Sequence, residues 1–405
     1  MASLRCLPLT VTIAAVLLSA PTYSMQALDD QSLSDVTGQA QGLRITDDQE
    51  IIINSLSYHD DDGLGPNGTH GVITLNSVRQ YSASGRPSVR DFEVKDLGQG
   101  RGIGLIMTSR QLDVSREIED VLINGKSLGG FGQMNYSFDD GDFIQTGIYA
   151  GGSSVGGVGA KGISFDVNVP SSLSYDTWHS TNDAKRFVTT NYDDPYNPGQ
   201  GGMFFQNFTI DIVDDGVRLG LPTISNGFMN QYNECVGTKE SCRGEGRKNI
   251  THSTALRNIN MPTGGYALIK NAKGAEEYGL EFDLRLAKDT NFNYVYIFGE
   301  VGDSYPNDRV FEMSAHVSLL SEATVDGLRM NVDGERGLVF DFDNTGSAGT
   351  KSAPGATVVS ANVEVSNITL MRSDRVQTTP NPVSLGTLDV QLNLTNNSYV
   401  QIEGY

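Results

Sequence analysis

Cysteine is almost absent from this chain, with three in 405 residues at positions 6, 235 and 242. A structural zinc site needs two pairs of soft ligands, so His252 beside Cys235 and Cys242 does not make one. Histidine is also sparse: five residues, at 59, 70, 179, 252 and 316, with no HExxH or HxH spacing. No Gly-x-Ser-x-Gly elbow presents a nucleophile, and neither of the two later cysteines has the setting of a catalytic thiol. These absences lead us to expect a protein without catalytic activity. Basic residues are outnumbered, 29 Lys and Arg against 49 Asp and Glu, for a formal net charge of −20. Such a charge repels nucleic acid and anionic membranes, so no nucleic-acid partner is expected. Beyond the first residues no apolar run approaches the roughly 20 residues of a membrane-spanning helix, and the mature chain is expected to carry no transmembrane segment. Helical periodicity is nearly missing as well; Asp113–Leu122 and Ser171–Asp183 are its only weak instances.

What is present begins with an export signal. Arg5, a mostly apolar stretch from Leu7 to Ala20, then Pro21, Thr22 and Ser24 follow the order of a secretory signal peptide. Cleavage is expected between Ser24 and Met25, delivering the protein to the periplasm, cell surface or medium. In an oxidising compartment Cys235 and Cys242, seven positions apart in a polar loop, are expected to form a disulfide. The small ring would contribute roughly 2–3 kcal/mol and staple only a local excursion.

Residues 25–40 read as one short capped helix: Asp29 at the N-cap, Leu28 and Leu33 as a hydrophobic staple, Gly38 at the C-cap. From Leu43 onward the pattern changes to period two, in short runs rich in Val, Ile, Thr, Phe and Tyr bounded by Gly, Asn, Asp and Pro. The fold expected is all-β, an antiparallel β-sandwich or jelly-roll-like arrangement in one or two lobes. The chain then divides into a signal peptide (1–24), a helix (25–40), a β-rich lobe (41–185) and a second β-rich lobe (186–405) holding the long disulfide-bearing loop.

Two local patterns recur. Gly-apolar-x-apolar-Asp/Asn-apolar occurs from Gly162, Gly279, Gly327 and Gly337, at spacings too irregular for a solenoid. Gln206-Asn-Phe-Thr-Ile is echoed by Ser366-Asn-Ile-Thr-Leu, which suggests strand-turn-strand units of similar design in two halves. The last strand, from Ser398 to Tyr405, does not continue the lipid-facing phase of an outer-membrane barrel, because steps of two from Tyr405 meet Glu403 and Gln401. It reads as an edge strand available for pairing.

Polar chemistry is concentrated in carboxylate turns and one aromatic loop. Clusters such as Asp60-Asp-Asp-Gly, Asp139-Asp-Gly-Asp and Asp214-Asp-Gly supply oxygen ligands of the kind calcium takes, although the Asp60 stretch lacks the ligands of an EF-type loop. Ordinary turns account for most of them, and no cofactor is expected, with calcium as the alternative. Trp178, Tyr192, Asp193, Asp194 and Tyr196 form a candidate ligand loop in which aromatic faces would stack on a sugar while carboxylates take its hydroxyls.

The segment Leu28-Asp-Asp-x-x-Leu-Ser-Asp-Val-Thr-Gly-Gln39, followed by the switch to strands, resembles the start of exported gammaproteobacterial β-rich proteins of unknown function, often labelled as Fil-type pilus-system proteins. That resemblance implies a cell-surface or pilus-associated structural or adhesion-type protein, with other surface or pilus-system proteins as partners through strand-edge pairing. The alternative is a secreted glycan- or calcium-binding β-module.

Overall fold

The computed structural model describes residues 42–402, apart from 48–49, 61–70, 83–84, 98–102, 113, 152–161, 182–183, 194–200, 215, 238–249, 272–279, 302–308, 335–336, 342–357, 375–381 and 396–398. The helix expected over 25–40 and the Ser24/Met25 cleavage point lie outside the described residues. So do Cys242, Asp194 and Tyr196, while Cys235 falls within a strand.

The described chain is all β-strand and turn. A lone strand, β1 (Leu43–Asp47), comes first, followed by the hairpins β2 (Ile51–Asp60) with β3 (Gly71–Tyr81) and β4 (Ser88–Asp96) with β5 (Ile103–Gln111). Next come β6 (Ser115–Ile123) with β7 (Lys126–Ser137), β8 (Ile144–Ala150) with β9 (Ile163–Val169), and β10 (Ser174–Thr181) with β11 (Ala184–Asn191). They are succeeded by β12 (Met203–Val213) with β13 (Gly216–Gly220), β14 (Thr223–Gly237) with β15 (Ile250–Met261), and β16 (Tyr266–Asn271) with β17 (Leu280–Leu286). The last are β18 (Asn291–Val301) with β19 (Arg309–Leu319), β20 (Ala323–Asp333) with β21 (Gly337–Asp341), β22 (Val358–Asp374) with β23 (Val383–Thr395), and the lone β24 (Tyr399–Ile402).

One pairing rule organises all of them. Apart from two short pairings, each hairpin bonds not to the next hairpin but to the one after it, so alternate hairpins build two antiparallel ladders. The first ladder runs β1-β4-β5-β8-β9-β12-β13-β16-β17-β20-β21-β24. The second runs β2-β3-β6-β7-β10-β11-β14-β15-β18-β19-β22-β23. Two short pairings, Phe205 opposite Ile224 and Val325 opposite Val359, join the ladders into one large antiparallel sheet. Strands β1 to β24 cluster as a single unit. The division expected at 185/186 falls inside β11, which is paired on both sides, to β10 and β14.

The rule also corrects the reading of the repeated sequence. Gly102-Ile-Gly-Leu, Gly162-Ile-Ser-Phe, Gly216-Val-Arg-Leu, Gly279-Leu-Glu-Phe and Gly337-Leu-Val-Phe immediately precede or open β5, β9, β13, β17 and β21. All five are return strands of first-ladder hairpins, and successive copies lie 54–63 residues apart. The expected irregularity came from including Gly327, which lies inside β20 with φ +75°, at a bulge, and from requiring Asp or Asn at the fifth position, where the units at Gly102 and Gly216 carry Ile106 and Gly220. At Gly162 and Gly216 a side chain has no room: a Cβ would stand 2.1 Å from Asp211 Oδ1 or 2.0 Å from the Ile269 carbonyl oxygen.

The second echo has a different origin from duplication into halves. Asn207 and Asn367 have φ of 56° and 52°, and Asn226 and Asn258 share that left-handed conformation at 53° and 50°. Each coincides with a register shift in β12, β22, β14 or β15. Asn tolerates the left-handed region better than most residues, so Asn at a β-bulge is the recurring device. Asn207 is in the first ladder and Asn367 in the second, so the likeness crosses ladders rather than lobes. The two weak helical stretches are the strands β6 and β10, whose backbone groups are taken up by neighbours on both sides.

Apolar side chains cluster where the chain crosses between ladders. Val169, Leu173, Tyr192, Met203, Ile224 and Ile259 are buried together there. The first ladder elsewhere reverses the expected phase: Ser164, Asp166, Thr209, Asp211, Arg218, Arg329 and Asn331 are buried, whereas Ile163 and Ile212 are 50% and 85% exposed. Charged residues of opposite sign face one another across strand pairs of this ladder. Asp211 stands opposite Arg218, whose guanidinium carbon lies 4.2 Å from the Tyr266 ring centre. Lys270 contacts Glu281 at 2.9 Å and Asp283 at 2.7 Å, and burial, which pulls its pKa down, is outweighed by these two carboxylates, which leave it raised. The structure also curls on itself. β20 touches β2 and β3, and the Ile123 side chain approaches Gly337 at the start of β21.

Candidate functional site

A polar depression of about 350 Å³ opens on the second ladder across β15, β18, β19 and β22. Its registry follows from antiparallel pairing. Arg257, Asn293 and His316 stand side by side in one row, and Val295 and Ser314 lie opposite each other in the next. Glu312 follows two residues further along β19, on the same side as Ser314 and His316 because strand side chains alternate. Asn258 and Asn367, both left-handed, sit at bulges on the two flanking strands and line the same depression. A bulge leaves one residue out of the ladder and re-aims its side chain, and here it does so on both walls.

Its hydrogen bonds define what the site offers. His316 Nδ1–H donates to Asn293 Oδ1 at 2.8 Å, which leaves Nε2 to accept in the neutral ring. Ser314 Oγ is bonded to Thr369 Oγ1 at 2.6 Å, so this hydroxyl is engaged across the strand rather than by His316. Burial pushes the Glu312 carboxyl above its ordinary pKa, with Arg257 pulling the other way. The set combines a guanidinium, amides, an imidazole acceptor and a carboxylate around the apolar Val295 and Ala315. Such a mixture suits a small ligand with several hydroxyl or amide groups, and it contains no serine–histidine pair arranged for acyl transfer.

The sign of the Glu312 effect gives a direct expectation. A carboxyl whose folded pKa exceeds its unfolded value favours folding fully below the unfolded pKa and loses that contribution as pH rises through the folded one. Glu312→Gln is therefore expected to be more stable than the parent at neutral pH, the difference vanishing below about pH 4.5. Denaturant titrations of both proteins across that range check it, and equal stability at neutral pH would remove Glu312 from the account.

Of the residues anticipated as a ligand loop, Trp178, Tyr192 and Asp193 are described, and the two aromatic side chains are buried in separate clusters. Trp178 is 3% exposed and packs with Met134 and Phe187 in the second ladder. Tyr192 is 8% exposed in the cluster at the ladder crossing, where burial and then Tyr175 push its hydroxyl pKa upward. Asp193 is exposed beside it. The Asp139-Asp-Gly-Asp cluster is a tight turn, with Asp142 N–H donating to the Asp139 carbonyl at 3.0 Å and Gly141 at φ +96°. Ser172 Oγ donates to Asp142. Among the described residues no group of three or more His, Cys, Asp and Glu is arranged to hold a metal ion. His316 and Asn367 were visible in the sequence as a scattered histidine and as part of the Ser366-Asn-Ile-Thr-Leu echo; Arg257, Asn293 and Glu312 carried no local signal, since only strand registry brings them together.

The class defined by these features is an all-β protein of alternating hairpins, carrying a polar depression on one ladder. Residues 1–99 of the chain match a family of unknown function, DUF6160. That stretch includes β1 to β4. No curated protein and no solved structure shows significant similarity to the chain. Among the described residues no helix is long and apolar enough to cross a membrane, which says nothing about spanning by strands.

Proposed function

We propose that this is an exported structural or adhesion-type protein of the cell surface, associated with a pilus or similar assembly and working without catalysis. The observation carrying this reading is the repeated hairpin framework, which ends on strands with large exposed apolar side chains. On β23, Val383, Leu385 and Leu388 are 60%, 60% and 54% exposed, and on β1 Leu43 is 61% exposed. Exposed apolar edge strands in a chain of net charge −20 suit pairing with another surface protein better than solitary life in solution. A sandwich-like stacking of the two ladders, a Cys235–Cys242 disulfide and removal of residues 1–24 belong to the same proposal.

Fractionation of the native host tests it. The mature protein is expected in sheared, high-molecular-weight surface material. Recovery only as a free periplasmic or medium species would remove the surface-structural reading.

The alternative is a secreted glycan-binding module, favoured by the depression around Arg257, Asn293, Glu312 and His316. Saturable binding from a glycan array, lost in His316→Ala with the fold intact, would move this reading to the front.

A further inference from the structure

Each ladder ends on strands that are halves of the internal repeat. In the first ladder every hairpin from β4–β5 to β20–β21 has a departing and a returning strand. β24 occupies the departing position after β21, and β1 the returning position before β4. Among the described residues neither has its hairpin mate. In the second ladder, return strands bond to the departing strand of the following hairpin, as β3 does to β6 and β19 to β22. β23 is a return strand and β2 a departing one, and among the described residues each is paired on one side alone, to β22 and to β3. The ladders thus terminate on β23 and β24 at their C-terminal sides and on β2 and β1 at their N-terminal sides, and each pair carries the strand classes that the other lacks.

The chemistry of these strands matches that vacancy. Natural edges are protected by lysine, proline or inward charge. β23 has one charged residue in 13, Asp389, with no lysine and no proline, and β24 has none. Arg44 of β1 is already held by Asp91, with Nε 2.6 Å from Oδ1. Exposed apolar side chains lie at both ends: Val383, Leu385, Leu388, Leu392 and Ile402 at one, and Leu43, Ile45 and Ile52 at the other.

We propose that the occupant of each end is a second copy of this chain, joined head to tail, with β23 of one copy pairing to β2 of the next and β24 forming with its β1 the missing hairpin. The contact continues the interface already repeated within the chain and uses different surfaces on the two partners, so it extends into a row rather than closing as a symmetric dimer. This deepens the structural reading above and identifies its partner. The net charge of −20 on the full chain, more negative still without Arg5, makes self-association strengthen as salt screens the repulsion.

Sedimentation velocity of the purified exported protein tests it over a concentration series at low and at 0.5 M sodium chloride, taken as roughly a 4 Å screening length. The expected result is concentration-dependent oligomers that grow with salt. Two end-blocked variants give the direction: Leu388→Lys with Leu392→Lys on β23, and Ile52→Lys on β2, all at exposed positions. Each variant alone is expected to be monomeric, and an equimolar mixture to form one-to-one dimers through the two intact ends, which also shows that both variants are folded. A monomeric parent at every concentration overturns the proposal. Oligomers persisting in the Ile52→Lys protein, or a mixture that stays monomeric, overturn it too. A surface-located monomer would sink this inference and leave the surface reading standing, whereas a self-associating protein found free in the medium would do the reverse.

Discussion

Gly337→Val is expected to lower stability by about 3 kcal/mol or more, the sum of a left-handed backbone penalty and an overpacking cost. Gly337 has φ +79°, and a Cβ there would lie 2.5 Å from the Ile402 carbonyl oxygen and 3.3 Å from the Ile123 side chain. The first neighbour is backbone of β24, so it can yield only by moving that strand away from β21. Gly85 isolates the conformational part: its φ is +71° and a Cβ would meet nothing within 4 Å. Gly85→Val is therefore expected to cost only the backbone term, about 1–2 kcal/mol. Denaturant titration of both variants measures the difference, and hydrogen exchange is expected to show lost protection in β24 for Gly337→Val. Equal costs at the two positions would mean that the approach to Ile402 is not a constraint. A loosened β24 would also weaken head-to-tail growth, linking a glycine of the repeat to assembly.

The second large effect is expected at Asp211. Asp211 is 2% exposed, stands opposite Arg218, 3% exposed, and takes a long 3.5 Å hydrogen bond from Thr209 Oγ1. Asp211→Asn keeps the shape and removes the charge, leaving the buried guanidinium without its carboxylate neighbour, at a cost of about 3 kcal/mol. Arg218→Met, which fills the space without charge, should recover much of that loss when combined with Asp211→Asn. A double-mutant cycle by denaturant unfolding checks this. Strictly additive losses would show that the two groups do not depend on each other. Gly162 belongs to the same cluster, since its missing side chain leaves room for the Asp211 carboxylate.

The strands themselves were legible because alternation and turn residues act locally. Ile51–Asp60 and Gly71–Tyr81 announce strands in five or six residues each, and Asp139 to Asp142 announces its turn. The Gly-apolar-x-apolar motif was also readable, but its period was obscured because one member, Gly327, obeys the pattern for another reason. Left-handed φ at a bulge and close backbone approach at a strand start both select glycine, and sequence does not distinguish them.

The candidate site was much less legible. Trp178 and Tyr192 looked like a platform because aromatics in polar surroundings often face a ligand, yet both serve as apolar filling. Arg257, Asn293, Glu312 and His316 come from three strands and meet only through the register of β15, β18 and β19. A one-residue slip in any of these pairings would turn its members to the other face.

By itself the sequence determined that the chain is built of antiparallel β-strands, because side-chain alternation and turn chemistry are properties of a few neighbouring residues. Tertiary structure decided that alternate hairpins share a ladder, that Asp211 and Arg218 are interior while Ile212 is exposed, and that among the described residues β1, β2, β23 and β24 end the ladders. Those outcomes depend on which strand lies beside which across tens of residues, and hydrogen-bond partners at that distance are chosen by the packing of the whole chain rather than by any short segment of it.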